Sequence, residues 1–225
     1  MKMINAMIFG MVGVLTIIAN LLLATPLLAT PYTYDFSLVP SHSPTTNFDP
    51  GMSENFTTNG ITITAYGFSS VGMATDLYVK NSGVGEMGLG LNSNIDHEIA
   101  GRGFVQVDLA HLIAAVGGTV TVVIESVQTG ENFSLYKSST LGQVGSLFSG
   151  IGAVNCGTVN CSELITLTAT NHYLSLKGGG TLGDKNVLLG PLTSVVPEPS
   201  FLILLGLSLV GLAAWHWKRQ GSPLA

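Results

Sequence analysis

From about residue 30 to residue 190, apolar and polar positions alternate with a period of two. Ile61, Ile63 and Ala65 alternate with Thr62, Thr64 and Tyr66, and Val105, Val107 and Leu109 with Gln106 and Asp108. Val120, Val122 and Ile124 interleave with Thr119, Thr121 and Glu125, and Ile165, Leu167 and Ala169 with Thr166 and Thr168. Phe133 and Leu135, then Leu174 and Leu176, continue the pattern. Shorter stretches lie at Tyr32–Phe36, Leu77–Lys80 and Asn186–Leu189. Period two with one wet face predicts half-buried antiparallel strands. About eight or nine such strands with glycine-rich turns predict an all-β antiparallel β-sandwich, of jelly-roll type. Gly130-Glu131 is read as the turn of a hairpin joining 119–127 to 132–137, and Asn171-His172 as a second turn. The one helical stretch, Ala110 to Val116, is stopped by Gly117-Gly118.

Two continuous apolar runs depart from the alternation. The first, Met3 to Leu23, follows Lys2 and predicts a signal peptide over 1–29; Ala24 and Ala29 are the candidate cleavage points, and Ala29 before Thr30-Pro31 is preferred. An uncleaved anchor stays open as the rival. The second, Phe201 to Trp217, reaches roughly 25 Å as a helix, the short end of a membrane span. Trp215 and Trp217 suit a headgroup belt, and Lys218-Arg219 would remain cytoplasmic, ahead of a tail at 220–225. Just before this run stands Val196-Pro197-Glu198-Pro199-Ser200. The two prolines fix φ and remove two donors, so the backbone around Glu198 is extended and exposed. The layout predicted is an ectodomain at 30–190, a linker at 191–196 and a membrane-targeting segment at 197–219 with its helix at 201–217.

Pro-Glu-Pro, a minimal span and a basic stop resemble the PEP-CTERM sorting signal of Gram-negative bacteria. The resemblance implies that 196–200 is read by an exosortase, a membrane protease-transpeptidase, and that Lys218 and Arg219 stop transfer. It also implies a route: inner membrane with the body in the periplasm, then the cell surface or extracellular matrix. The family is associated with exopolysaccharide and biofilm matrix, so an extracellular polysaccharide is an expected partner. Gly83 to Gly90 and on through Asp96-His97-Glu98-Ile99 look like the central segment of many such exported proteins. The strand pattern over Phe104–Leu109, 119–127 and 132–137 resembles the edge of galactose-binding-like jelly rolls.

Composition narrows the chemistry. The formal net charge is −5 and the body holds no basic run, which argues against nucleic acid as a partner. The two cysteines, Cys156 and Cys161, predict one disulfide closing a short loop in an exported protein. Asn92, Asn94, Asp96 and Glu98 set oxygen ligands at every second residue and are candidates for calcium. Glu86, Asp96, Glu98, Asp108 and Glu125 are the carboxylates from which a glycosidase pair would be drawn. No Gly-x-Ser-x-Gly elbow or His-Glu-x-x-His helix is present. The expectation is a non-enzymatic surface or matrix protein. The alternative is a glycan-binding module, with calcium where it assists. A secreted hydrolase and an ice-binding threonine array rank below these.

Overall fold

The computed structural model describes residues 30–38, 47–83, 86–94, 96–128, 131–148, 160–179 and 186–194, together with Ser208, Leu209, Gly211, Leu212 and Trp215. The chain divides into two compact units, Pro31–Pro197 and a second made of Met1–Thr30 with Glu198–Ala225. In the second unit Ser208, Leu209, Gly211, Leu212 and Trp215 are helical. Among the described residues no helix is long and apolar enough to cross a membrane. The predicted signal peptide at 1–29, the segment 196–200, Lys218-Arg219 and most of the span at 201–217 lie outside the described residues.

The first unit is built from two antiparallel sheets. In chain order the strands are β1 (Thr33–Tyr34), β2 (Phe48–Gly51), β3 (Ser53–Thr58), β4 (Ile61–Ser70), β5 (Met73–Ala74), β6 (Leu77–Asn81) and β7 (Met87–Leu91). They continue as β8 (Phe104–Asp108), β9 (Thr119–Glu125), β10 (Asn132–Ser138), β11 (Ser146–Leu147), β12 (Asn160–Thr166), β13 (Tyr173–Gly179) and β14 (Leu188–Ser194). One sheet runs β12-β9-β14-β7-β6-β2, with β1 also paired to β14; the other runs β11-β10-β13-β8-β4-β3, with β5 on β4. Between β8 and β9 a helix, α1, spans Ala110–Val116 as the apolar pattern predicts.

The alternation places the core. Ile63 and Ala65 from β4, Val105 and Val107 from β8, Leu135 from β10 and Leu174 and Leu176 from β13 meet Leu77, Val79, Leu89, Val120, Val122, Ile124, Leu189 and Leu192 from the other sheet. Phe36 closes edge-to-face on Phe56, with ring centroids 4.8 Å apart. Such a two-sheet interior is what period-two strands with one apolar face must build.

Three expectations are corrected. Strands β9 and β10 are not a hairpin: β9 pairs with β12 and β14, whereas β10 pairs with β13 and β11. The chain leaves the first sheet at Ser126, whose φ of 61° turns it out of the ladder. Of the stretch Ile165–Ala169 only Ile165 and Thr166 lie in a strand, β12, which begins at Asn160, and the connection through 171–172 crosses between sheets. The predicted linker at 191–196 starts inside β14, which runs through Ser194. Pro191 is tolerated there because the β14–β9 register shifts between Leu189 and Leu192, at a bulge that needs no N–H donor.

Strand β7, Met87-Gly88-Leu89-Gly90-Leu91, is not among the strands that the alternation predicts. Its glycines have a packing reason. A Cβ on Gly90 would lie 1.9 Å from the His97 carbonyl oxygen, so the β7–β8 connection lies directly on the sheet. Gly90→Ala should therefore lift that connection and cost about 2 kcal/mol. Chemical unfolding of the detergent-solubilised full chain, followed by far-ultraviolet circular dichroism, checks this; an unchanged midpoint contradicts it.

Candidate functional site

The β7–β8 connection carries most of the polar residues singled out by sequence, and it folds over the outer face of β6 and β7. His97 holds φ at 59° and stacks on Tyr78, with centroids 4.0 Å apart. Ile99 bridges to Val187 and enters the core. Between them Glu98 is only 5% exposed. Its Oε1 accepts hydrogen bonds from Lys80 Nζ at 2.5 Å and Ser126 Oγ at 3.0 Å. Lys80 also lies 3.2 Å from Glu86 Oε2. The left-handed turn at Ser126 thus has a purpose: it brings the hydroxyl under a buried carboxylate.

Around this pair lies an open cleft of about 400 Å³ lined by Lys80, Glu86, Asp96, Glu98, Gln128, Glu131 and Asn186. Glu131 is 7% exposed. Its Oε2 accepts from the Gln128 backbone N–H at 2.5 Å and its Oε1 from the Asn186 N–H at 3.2 Å, which ties the β9–β10 and β13–β14 connections together. Asn186 Nδ2 donates to Asp96 Oδ2 at 3.0 Å, while Asn186 Oδ1 is buried without a partner among the described residues.

The electrostatics follow from burial. Desolvation pushes the Glu98 carboxyl up; hydrogen bonding and charge from Lys80, then Ser126, oppose the rise, and Glu131 adds to it. Burial works against the Lys80 charge, but the carboxylates of Glu98 and Glu86 outweigh it and hold the ammonium above its usual range. On the adjacent strand Glu125 is 8% exposed and its Oε2 has no hydrogen-bond partner among the described residues. Burial, then the charge of Asp35, raises its carboxyl too.

Of the sequence-predicted carboxylates, Glu86, Asp96 and Glu98 come together in the cleft. Glu125 is buried on β9 without lining it, and Asp108 caps the Ala110 N–H at 2.9 Å. The four calcium candidates point to different partners. Asn92 Nδ2 donates to Asp49, Asn94 Nδ2 to the Glu98 carbonyl, Asp96 accepts from Asn186, and Glu98 serves Lys80 and Ser126. Among the described residues no group of three or more His, Cys, Asp or Glu side chains is placed to hold a metal ion. Cys161 is 5% exposed and is not a free thiol; Cys156 lies outside the described residues, and with it the predicted bridge. Sequence reading missed Lys80, Ser126, Gln128, Glu131 and Asn186, because separate strand ends and connections supply them. The one available signal was charge: lysine in a half-buried strand of a chain with few charges needs a partner.

Residues 195–220 match the PEP-CTERM protein-sorting motif. No curated protein and no solved structure matches the chain. The motif marks an exported protein that transits the membrane of Gram-negative bacteria and is sorted by an exosortase.

Two outcomes test the site's electrostatics. Lys80→Ala strands a buried carboxylate and should cost about 3–5 kcal/mol, while the paired change Lys80→Met with Glu98→Leu should cost far less. Comparing the three unfolding midpoints decides it. Glu125, raised in the folded state, contributes stability that is fully present below the ordinary carboxylate pKa and is lost as pH rises through its raised value. Glu125→Gln should therefore be more stable than the parent at pH 8 and equal to it at pH 4, as read by thermal unfolding at both pH values.

Proposed function

We propose that this exosortase substrate is a non-enzymatic component of the cell surface or extracellular matrix, with its β-sandwich as the functional body. The observation that carries the reading is the sorting motif directly after the last strand of a compact sandwich. The use of the buried carboxylates supports it. Glu98 is tied to Lys80 and Ser126, and Glu131 to two backbone N–H groups, so neither is positioned as a free acid or base.

A second reading, recognition of a polysaccharide, rests on the cleft. Its lining offers carboxylates and amides, the acceptors and donors that bind sugar hydroxyls, beside the ring of Tyr78 stacked on His97. Exopolysaccharide is the expected ligand class, and calcium bound through the Asn92–Glu98 segment is the form in which a metal would assist. The cysteine pair would brace the connection before β12.

The sorting half is tested in the native host. Glu198→Ala should leave the chain unprocessed in the membrane fraction, read by immunoblot; normal release contradicts the reading. Binding is tested by co-sedimenting the released protein with the host's own polysaccharide, with and without a chelator. Asp96→Ala with Glu86→Ala should abolish co-sedimentation if the cleft is the site, and retained binding removes it.

A further inference from the structure

Both ends of the described sandwich leave from one place. The Ser194 N–H donates to the Tyr32 carbonyl at 2.9 Å, and the Tyr32 N–H donates to Ser194 Oγ at 3.0 Å. Thr33 Oγ1 and Thr193 Oγ1 lie 3.2 Å apart. Around this pair the fold gathers further segments. Thr58 Oγ1 donates to the Thr33 carbonyl at 2.9 Å and the Tyr34 hydroxyl to the Ile61 carbonyl at 3.3 Å, which brings in the β3–β4 turn. Ser194 is in register with Val120, and the Leu167 N–H donates to the Gly118 carbonyl at 2.9 Å, which adds the start of β9, the C-terminus of α1 and the β12–β13 connection.

These segments share one property. Residues 30–34, 57–62, 110–121, 166–172 and 192–194 contain no Asp, Glu, Lys or Arg. Their surface is mostly Thr, Ala, Asn and Gly, with Asn59, Ala114, Ala115, Ala169 and Thr170 exposed; its titratable imidazoles are His111, exposed on α1, and the half-buried His172. Two acidic groups flank these segments: Asp35, whose Oδ1 accepts from the Ser37 N–H and hydroxyl, and Asp108, which is occupied by the Ala110 N–H and stands 3.9 Å from His172 Nε2. The charged cleft is elsewhere. Gln128 follows the far end of β9 and Asn186 precedes the far end of β14, about 20 Å along the strands.

The sorting motif begins one residue beyond Ser194. A fully extended chain from Ser194 to Glu198 spans at most about 14 Å. One α-helix with its side chains is about 10–12 Å across. Any enzyme that closes around Pro197-Glu198-Pro199 must therefore touch the end of the sandwich from which β14 emerges. We propose that this end, free of Asp, Glu, Lys and Arg, is the surface that meets the exosortase during processing, with the β1–β14 hydrogen bonds holding the point from which the motif leaves. The proposal rests on the sorting role of residues 195–220. A neutral rim fits a partner working at the membrane–water boundary, where a charge on the body would be desolvated without a counter-ion.

Pulse-chase in the native host, following conversion of full-length precursor to released product, tests it. Ala115→Glu and Ala169→Glu should each slow conversion about tenfold, the consequence of one unpaired charge at an interface. Ala115→Gln and Ala169→Gln should convert at the parental rate, as should Ser93→Glu in the exposed β7–β8 connection. A flexible ten-residue Gly-Ser spacer inserted after Ser194 should restore the rate of the Glu variants. Limited proteolysis of each full-length precursor confirms that the sandwich is folded. Parental rates for both Glu variants, equal slowing by Ser93→Glu, or no rescue by the spacer would each overturn the proposal. Glu198→Ala run alongside keeps the two ideas apart: normal conversion of that variant removes the sorting reading itself.

Discussion

Strand β14 holds the sandwich together. It is the last of the described strands, yet it lies inside its sheet, paired to β9 on one side and to both β7 and β1 on the other. Leu189 and Leu192 bury between the sheets, and Val187, just ahead of the strand, bridges to Ile99. Without β14 the sheet would split into a β12-β9 ribbon and a β7-β6-β2 fragment, each with an open edge. Its pairing with β1 joins residues some 160 positions apart, Thr33 with Thr193. Contacts of such separation form late and slowly, because loop closure costs entropy before the ladder repays it. The sandwich is therefore completed only once residue 194 is available, which is also when the sorting motif follows it. Folding of the body and exposure of the signal are tied by chain order.

The buried carboxylates show how the other end of the sandwich is closed without apolar residues. Glu98 and Glu131 each gather donors from different connections, and Lys80 supplies the one counter-charge between Glu98 and Glu86. Burying charge in this way contributes little net stability compared with apolar packing, but removing one partner is costly. What such a network fixes is position. Three connections, two of them also joined by the Ile99–Val187 bridge, are held in one arrangement by directional bonds. The cleft they enclose is consequently rigid at its base, where Glu98 lies, and open at its rim, where Glu86 and Asp96 reach solvent. A preformed polar concavity suits a ligand rich in hydroxyl groups.

How much of this could be read from the chain depends on how local each determinant is. The period-two segments at 61–65, 105–107, 120–124 and 174–176 became strands because alternation and burial agree at each residue. Helix α1 matched its bounds because Gly117 ends the apolar stretch. Strand β7 escaped notice because Gly88 and Gly90 serve contacts made by distant residues, Leu189 and His97, rather than any local preference. The β9–β10 pairing was misassigned for a related reason: the left-handed residue that separates the sheets is a serine, where glycine or asparagine would have signalled the turn. Asp96 and Glu98 were visible as an acidic segment, but their role was not. Sequence spacing offered a cation shell, whereas the fold spends Glu98 on Lys80, a partner it meets only through the path of the β7–β8 connection.

The sandwich has two chemically distinct regions, and the direction of β14 orders them along the chain. The strand starts beside Asn186, next to the acidic cleft, and ends at Ser194, among threonine and alanine, where the address begins. An enzyme acting on the motif and a ligand held in the cleft would therefore sit at opposite ends of one strand, about 20 Å apart. Neither obstructs the other. A body that needed the same surface for processing and for binding would have to be released before it could engage its ligand. Here geometry removes that constraint: the charged residues that line the cleft lie at the opposite end of β14 from Ser194, beyond which the sorting motif begins.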